Sequence, residues 1–155
     1  MKRCKALLLM YFMMNSLTAV AGESSTYDMN AVTLTRFAIQ SLYAPKRLVN
    51  MPEGVYRAPM ETEKHVPLFY GASIDAMPLA SWRAGALYVT AVELKNLTSH
   101  AITIDLKQLR GHWQTAALYP SPKLKSREAH ETTSLFLISD KPFQAALTQN
   151  KGLVR

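Results

Sequence analysis

The chain has 155 residues, enough for one domain with a buried core. It carries 18 Lys and Arg against 11 Asp and Glu, for a net charge of +7, and its only cysteine is Cys4. A single cysteine excludes an internal disulfide framework and every zinc site built from several thiolates. The domain must therefore be held together by its core.

Residues 1–21 have the layout of a secretory signal peptide. A basic start over 1–5 precedes an apolar run over 6–14, and the small residues Ala19 and Ala21 close the segment. The apolar run falls short of the ~20 residues that span a bilayer, so we predict cleavage between Ala21 and Gly22 rather than an uncleaved anchor. Cleavage lowers the net charge from +7 to +4, and the remaining basic run, Lys123 to Arg127, is typical of a solvated loop.

A helix is predicted over 28–44. Asp28 is the expected N-cap, and Pro45 ends the helix because the residue before a proline is pushed out of the helical region. Apolar residues at helical spacing form one stripe, made of Leu34, Phe37, Ala38 and Leu42. Prolines and glycines then break 46–78 into short extended pieces, of which 55–57 and 68–70 are predicted edge strands.

The clearest strand signal lies between residues 86 and 106. Two runs rich in β-formers, 86–95 and 102–106, flank the turn-like segment 96–100, and this pattern predicts a hairpin. The side chains expected to face the core are Val92, Leu94, Ile102, Ile104 and Leu106. Those expected to face water are Glu93, Lys95, Thr103 and Asp105.

The rest of the chain predicts two more strands and a short helix. We expect a strand over 112–119, a polar loop over 120–131, and a strand over 133–138 that is apolar on both faces and therefore central. Asp140 is expected to open a helix that runs to Leu147, before a loose tail over 148–155. The sequence thus predicts a mainly β fold over 22–147: an antiparallel β-sandwich with one N-terminal helix and a short C-terminal helix.

Motifs for catalysis are missing from the sequence. The four histidines, His65, His100, His112 and His130, have no metal-ligand spacing, and there is neither a GxSxG elbow nor a glycine-rich phosphate loop. We therefore predict no enzyme activity, no metal and no cofactor. The alternative is a free periplasmic hydrolase or small-ligand-binding protein, with a pocket lined by the proline-rich middle of the chain.

The residues most suited to binding a partner are Trp82, Arg83 and Tyr88, because Trp, Tyr and Arg are the usual anchors of interfaces. For Trp82 a place in the core is an equally good interpretation, and for Trp113 the core is favoured. We expect an extended partner segment to bind a sheet edge or groove between Trp82 and Tyr88.

Several stretches resemble one known family: LTRFAIQSLYAPKRL (34–48), PLASWRAGALYVTAVELKN (78–96), LRGHW (109–113) and ETTSLFLISDKPFQAAL (131–147). Together they are similar to the C-terminal portion of the TraK-like proteins encoded by integrating conjugative elements. The family's N-terminal β domain has no counterpart between the predicted signal peptide and the LTRF helix. The chain is thus either a short form that keeps the lipoprotein-binding half or a shortened, inactive product.

The resemblance implies a non-catalytic subunit of a conjugative type IV secretion channel. Its place would be the periplasm, in a complex at the outer membrane, where a β-sandwich holds a TraV-like lipoprotein and contacts a TraB-like envelope-spanning subunit. A ring of identical copies and no direct contact with nucleic acid are further expectations. The family offers no active-site residues to transfer to this sequence.

Overall fold

The computed structural model describes residues 29–71 and 73–148. The predicted signal peptide, its cleavage point at Ala21 and Gly22, and the tail beyond residue 148 lie outside the described residues. The helices are α1 (Ala31–Tyr43) and α2 (Phe143–Thr148). The strands are β1 (Val55–Arg57), β2 (Ile74–Ala84), β3 (Leu87–Asn96), β4 (Ile102–Thr103), β5 (Thr115–Tyr119), β6 (Lys123–Leu124) and β7 (Thr132–Ser139).

Five strands form one antiparallel sheet in the order β1-β2-β3-β7-β5, and β4 pairs with β6 in a separate two-stranded sheet. The predicted fold class is confirmed: the chain is mainly β and antiparallel, with one N-terminal helix and a short C-terminal helix. Neither helix of the described residues has the length and apolarity needed to cross a membrane.

The first core lies between α1 and one face of the large sheet. Leu34, Phe37 and Ala38 of the apolar stripe are buried there and Leu42 is half-buried. Phe37 meets the indole of Trp82 edge-to-face with ring centroids 5.8 Å apart. The sheet contributes Ala80, Trp82, Val89, Ala91, Phe136 and Ile138. The helical periodicity of the sequence thus correctly identified the buried face of α1.

The second core lies on the opposite face of the same sheet. Here Val92, Leu94, Leu135 and Leu137 are covered by the loop around Phe69, by the two-stranded sheet and by α2. The covering side chains include Leu68, Phe69, Ile104, Leu124 and Phe143. Trp113 also lies here, half-buried and stacked on Phe143 with centroids 5.6 Å apart, so its predicted packing against the core is confirmed.

The prediction of a central strand over 133–138 is confirmed. β7 lies between β3 and β5, and every residue of it except Thr132 is buried. Because alternate side chains of a strand point to opposite faces, this strand supplies both cores at once. The three-residue strand β1 is also where the sequence predicted it, and it lies at an edge of the sheet.

The predicted hairpin between 86–95 and 102–106 is wrong. β3 pairs with β2 and β7, whereas Ile102 and Thr103 pair with Leu124 and Lys123 of β6. Period-two patterning identifies a strand but does not identify its neighbour. The predicted faces mostly hold, because Val92, Leu94 and Ile104 are buried, Ile102 is half-buried, and Leu106 is exposed in a short 3-10 helix instead.

The longest strand, β2, was not predicted, because proline removes a ladder donor and Pro78 lies inside it. The register shifts between Pro78 and Ala80, and β1 pairs only with Trp82–Ala84, so within the described residues no strand meets Pro78 on that side. The predicted strand over 68–70 is reduced to a single bridge between Phe69 and Leu109.

Three element ends also differ from the prediction. The N-cap of α1 is Asn30, whose side chain accepts a hydrogen bond from the Thr33 amide at 3.0 Å, and not Asp28. The strand predicted over 112–119 begins only at Thr115, and the loop predicted over 120–131 contains β6 and a 3-10 turn. The helix expected to open at Asp140 begins at Phe143, with the Pro142 carbonyl accepting from the Ala146 amide.

Candidate functional site: a groove at the β1 edge

The candidate site begins at the turn between β2 and β3. Ala84 pairs with Leu87, so only Gly85 and Ala86 connect the strands, and Gly85 has a φ of +57°. Two-residue hairpin turns require such a positive φ, which glycine adopts without a steric cost. The turn carries Arg83 and Tyr88 to the end of the sheet, beside the edge strand β1.

Three side chains form a row across the strands at this end. Tyr56 of β1 is the register partner of Arg83 of β2, which is in turn the partner of Tyr88 of β3. Directly opposed residues point to the same face of a sheet, and here it is the face away from α1. The Arg83 guanidinium lies 5.5 Å from the Tyr88 ring centroid, and its Nε donates to the Gly85 carbonyl at 2.9 Å.

This row lines a groove of about 400 Å³. Its walls contain Tyr56, Arg57, Ala58, Pro59, Arg83, Gly85 and Tyr88, and none of these residues is acidic. The Tyr56 side chain is 67% exposed although tyrosine has a large apolar ring. In the described part of the chain no strand pairs with the outer side of β1. A cationic and aromatic groove beside such an edge is suited to an extended peptide, because the edge offers main-chain hydrogen bonds and the groove receives side chains.

Trp82 does not belong to the groove. Only 2% of its surface is exposed, and its ring packs between Phe37 of α1 and the Arg57 guanidinium, which lies 4.9 Å from the ring centroid. Of the two interpretations left open by the sequence, the core one therefore applies to Trp82. Partner binding by Arg83 and Tyr88 stays a prediction, and their side chains lie where an extended segment can reach them.

Tyr56 was missed as a binding candidate, although a signal for it exists in the sequence. The segment Val55-Tyr56-Arg57 was predicted as an edge strand. Because neighbouring side chains of a strand point to opposite faces, Tyr56 points away from the face on which Val55 is buried. An exposed aromatic residue is common on its own, and Tyr56 becomes a binding candidate only because it lies beside Arg83 and Tyr88. The pairing of Tyr56 with Arg83 depends on strand register, which the sequence did not predict.

A second, more polar groove of about 350 Å³ lies at the opposite end of β3. It is lined by acidic and basic side chains together, and ion pairs join Lys95 to Glu93 at 3.0 Å and Lys125 to Glu131 at 3.3 Å. Nearby, hydrogen bonds from its own backbone amide and from Ser126 lower the pKa of Glu128 below its usual value. Charges that are neutralised locally leave this groove without a preference for one sign of ligand.

The histidines were the residues that could have indicated an enzyme. His65 Nδ1 lies 2.7 Å from Asp75 Oδ1, but the His65 side chain is 66% exposed and no hydroxyl in the described part of the chain hydrogen-bonds to it. His100, His112 and His130 are exposed on separate loops. Within residues 29–71 and 73–148 no three His, Cys, Asp or Glu side chains come together as metal ligands.

Comparison with known proteins identifies the family. The sequence matches the family described as "Protein of unknown function (DUF3438)" over residues 15–155. The chain belongs to this family. No curated protein matches the sequence.

Proposed function

We propose that this member of the DUF3438 family is a non-catalytic, exported subunit of a conjugative type IV secretion channel, where it binds an extended segment of an outer-membrane lipoprotein. The observation that carries the proposal is the groove at the β1 edge, in which Tyr56, Arg83 and Tyr88 flank a strand that pairs with β2 on one side and, among the described residues, with no strand on the other. Export, the periplasm and the TraV-like and TraB-like partners come from the signal-like start and from the TraK-like stretches of the sequence.

The chemistry of the groove favours a peptide over a small molecule. A peptide laid along β1 would pair with the outer backbone groups of the strand other than the Val55 amide, which already donates to the Pro52 carbonyl at 3.2 Å. Its side chains would meet the Tyr56–Arg83–Tyr88 row. β1 is short and is followed by Pro59, so main-chain pairing alone gives little affinity. The side-chain anchors must supply most of the affinity and all of the specificity.

The alternative function, a periplasmic hydrolase, would depend on the His65–Asp75 pair. Such a pair orients and activates a hydroxyl or thiol nucleophile in nucleophilic catalysis. In the described residues the hydrogen bond of His65 goes to Asp75 alone, on an open surface. An exposed His–Asp pair of this kind is also a common surface ion pair, so the binding function is the better supported of the two.

Affinity capture tests the proposal. The tagged chain is purified from detergent-solubilised envelopes of cells that carry the conjugative genes, and the subunits that co-purify are identified by mass spectrometry. We expect a lipoprotein and a TraB-like subunit with the unmodified chain. Absence of both from the purified complex would contradict the proposed function.

Arg83→Ala locates the binding surface in the same experiment. Truncation of an interface anchor costs about 2 kcal/mol or more, which is roughly thirtyfold in affinity, so the lipoprotein should be lost from the complex. Arg36→Ala is the matched control, because it removes the same charge from an exposed position on α1, on the other face of the sheet. Equal capture by both variants would place the binding surface elsewhere while leaving the assembly role intact.

A further inference from the structure

The other edge of the five-stranded sheet, β5, is built differently from β1. All five residues of Thr115–Tyr119 pair with β7, and in the described part of the chain no strand lies along the other side of β5. A free edge exposes unpaired N–H and C=O groups, which proteins usually guard with charge, proline or a bulge. The segment Thr-Ala-Ala-Leu-Tyr has no charge and no proline, and its register with β7 is unbroken.

Both hydrophobic cores extend to this edge. Ala116 and Leu118 pack against the second core, whereas Ala117 is paired with Phe136 of the first core. The three side chains of Ala116, Ala117 and Leu118 are all only half-buried. A further strand on the outer side of β5 would therefore cover apolar surface on both faces as well as satisfying the backbone groups.

The directions of the strands indicate which strand fits. Every neighbouring pair in the order β1-β2-β3-β7-β5 is antiparallel, so β1 and β5 run in the same direction. If β5 of one copy joined β1 of the next in a continued sheet, the new pair would be parallel, which is the less stable arrangement. A two-fold axis through the middle of β5 pairs it with its own copy in the antiparallel sense.

We infer that β5 is a self-association edge, at which two copies of this chain join their large sheets about a two-fold axis centred on Ala117. Thr115 then lies opposite the partner subunit's Tyr119, and Ala116 opposite the partner subunit's Leu118. No charged side chains oppose each other in this register, and small alanines meet at the centre. Both copies of α1 lie on the same side of the joined sheet.

The contact is small, and this limits its strength. Stable interfaces bury about 1,600 Å² in total, more than one five-residue strand pair supplies, so the dimer should dissociate with a Kd on the order of 100 μM. If two copies of this chain are held close together in the proposed complex, the effective concentration of their β5 edges rises and the contact forms more readily. In a purified sample the association should depend clearly on protein concentration.

Disulfide cross-linking tests the geometry directly. Ala117→Cys is placed in the full chain with Cys4→Ser, so that the introduced thiol is the only one. Opposed Cα atoms in an antiparallel pair are about 4.5–5.5 Å apart, within the range of a disulfide, so mild oxidation should convert most of the protein into a linked dimer. Tyr56→Cys is the control: its site is more exposed, but it should give little dimer because β1 edges do not meet.

Sedimentation measurements test the same contact without a cross-link. The unmodified chain should shift from monomer towards dimer with rising concentration. Ala117→Lys places like charges opposite each other at the two-fold axis and should weaken the dimer at least about fivefold, with its thermal unfolding recorded to confirm that it folds. If this variant does not fold, the cross-linking result decides.

Three results would overturn the inference. They are a monomer at every concentration up to about ten times the expected Kd, equal cross-linking through Ala117→Cys and Tyr56→Cys, and a cross-link that forms only when these two variants are mixed. The last result would mean that β5 meets β1 of the next copy head to tail. The first two results leave lipoprotein capture at the β1 groove untouched, and the third would show that β5 of another copy competes for that edge. Because capture is measured separately on Arg83→Ala, the two proposals fail separately.

Discussion

The two faces of the large sheet are covered in different ways. One face lies under a single amphipathic helix, α1, whose buried residues come from one continuous segment of chain. The other face lies under a loop, a two-stranded sheet and a one-turn-and-a-half helix, which come from four separate segments. The first cover is held mainly by side-chain packing, with hydrogen bonds to the sheet from the Tyr43 hydroxyl at the end of the helix. The second depends more on polar contacts and close backbone approaches between its segments.

Because the two covers are built differently, their stability should respond differently to single substitutions. A helix satisfies its own backbone, so its attachment depends on the apolar side chains that it buries. Irregular segments must find partners for their backbone groups in each other or in side chains. Large apolar truncations should therefore weaken the α1 face most, while small steric or polar changes should be enough to loosen the opposite face.

The largest effect is expected from Trp82→Ala. The buried indole fills the first core against Phe37, and its removal should lower the free energy of unfolding by about 3–5 kcal/mol, measured by chemical denaturation with circular dichroism. Trp113→Ala is the comparison on the other face. Its ring is half-exposed and should cost clearly less; an equal or larger loss for Trp113→Ala would break the proposed contrast between the faces.

A smaller but still large effect is expected from Gly111→Ala. Gly111 has a φ of +96°, and a Cβ atom there would lie 2.8 Å from the Ala146 carbonyl oxygen of α2 and 3.0 Å from the Leu147 Cα. Both atoms belong to backbone, so α2 must shift, and the free energy of unfolding should fall by about 2–4 kcal/mol.

Gly71→Ala separates the steric clash at Gly111 from the backbone strain. Gly71 has nearly the same φ, +98°, but a Cβ there would meet nothing within 4 Å. It should therefore show only the strain, about 1 kcal/mol. Equal losses in thermal or chemical unfolding for the two variants would mean that α2 moves away without cost.

Asn96→Ala should cost less than Trp82→Ala or Gly111→Ala. The buried Asn96 side chain donates to the carbonyls of His100 and Lys125 at 2.7 and 2.8 Å, and its Oδ1 accepts from the Thr98 amide at 2.8 Å. It thereby ties together the loops on either side of the two-stranded sheet. Its loss should lower the free energy of unfolding by about 2 kcal/mol and speed amide exchange in both loops.

Asn96→Asp is the control for that effect. Aspartate keeps the acceptor for Thr98 but turns a donor towards two carbonyl oxygens into a negative charge, so it should stabilise the protein no better than alanine does. Recovery of full stability by aspartate would show that the contact to Thr98 alone matters.

The sequence predicted those parts of the fold that depend on local pattern. The stripe from Leu34 to Leu42 reflects one helix on one surface, and the doubly apolar run of β7 reflects burial on both sides. The prediction from sequence was wrong where pairing between distant segments decides the structure. Pro78 looked like a strand breaker because nothing local shows that β1 stops short of it, and the partner of β3 was taken from sequence proximity.

The sequence predicted where the candidate groove lies but not all of the residues that line it. Arg83 and Tyr88 line the groove, since the turn at Gly85 is a local feature that keeps them near each other. Tyr56 lies beside them only because β1 pairs with β2. Trp82 points to the other face of the sheet, where it packs against α1. Both corrections arise from contacts between segments far apart in the chain.

The position of β7 between β3 and β5 has a consequence for the order in which the protein can fold. Synthesis delivers β3 well before β7, yet β7 is the strand that completes both cores. Contacts of such long sequence separation are typical of slow folding. Until Thr132–Ser139 has been synthesised, the edge of β3 that carries Val92 and Leu94 stays open, and a newly made chain is most exposed to pairing with a wrong strand at that edge.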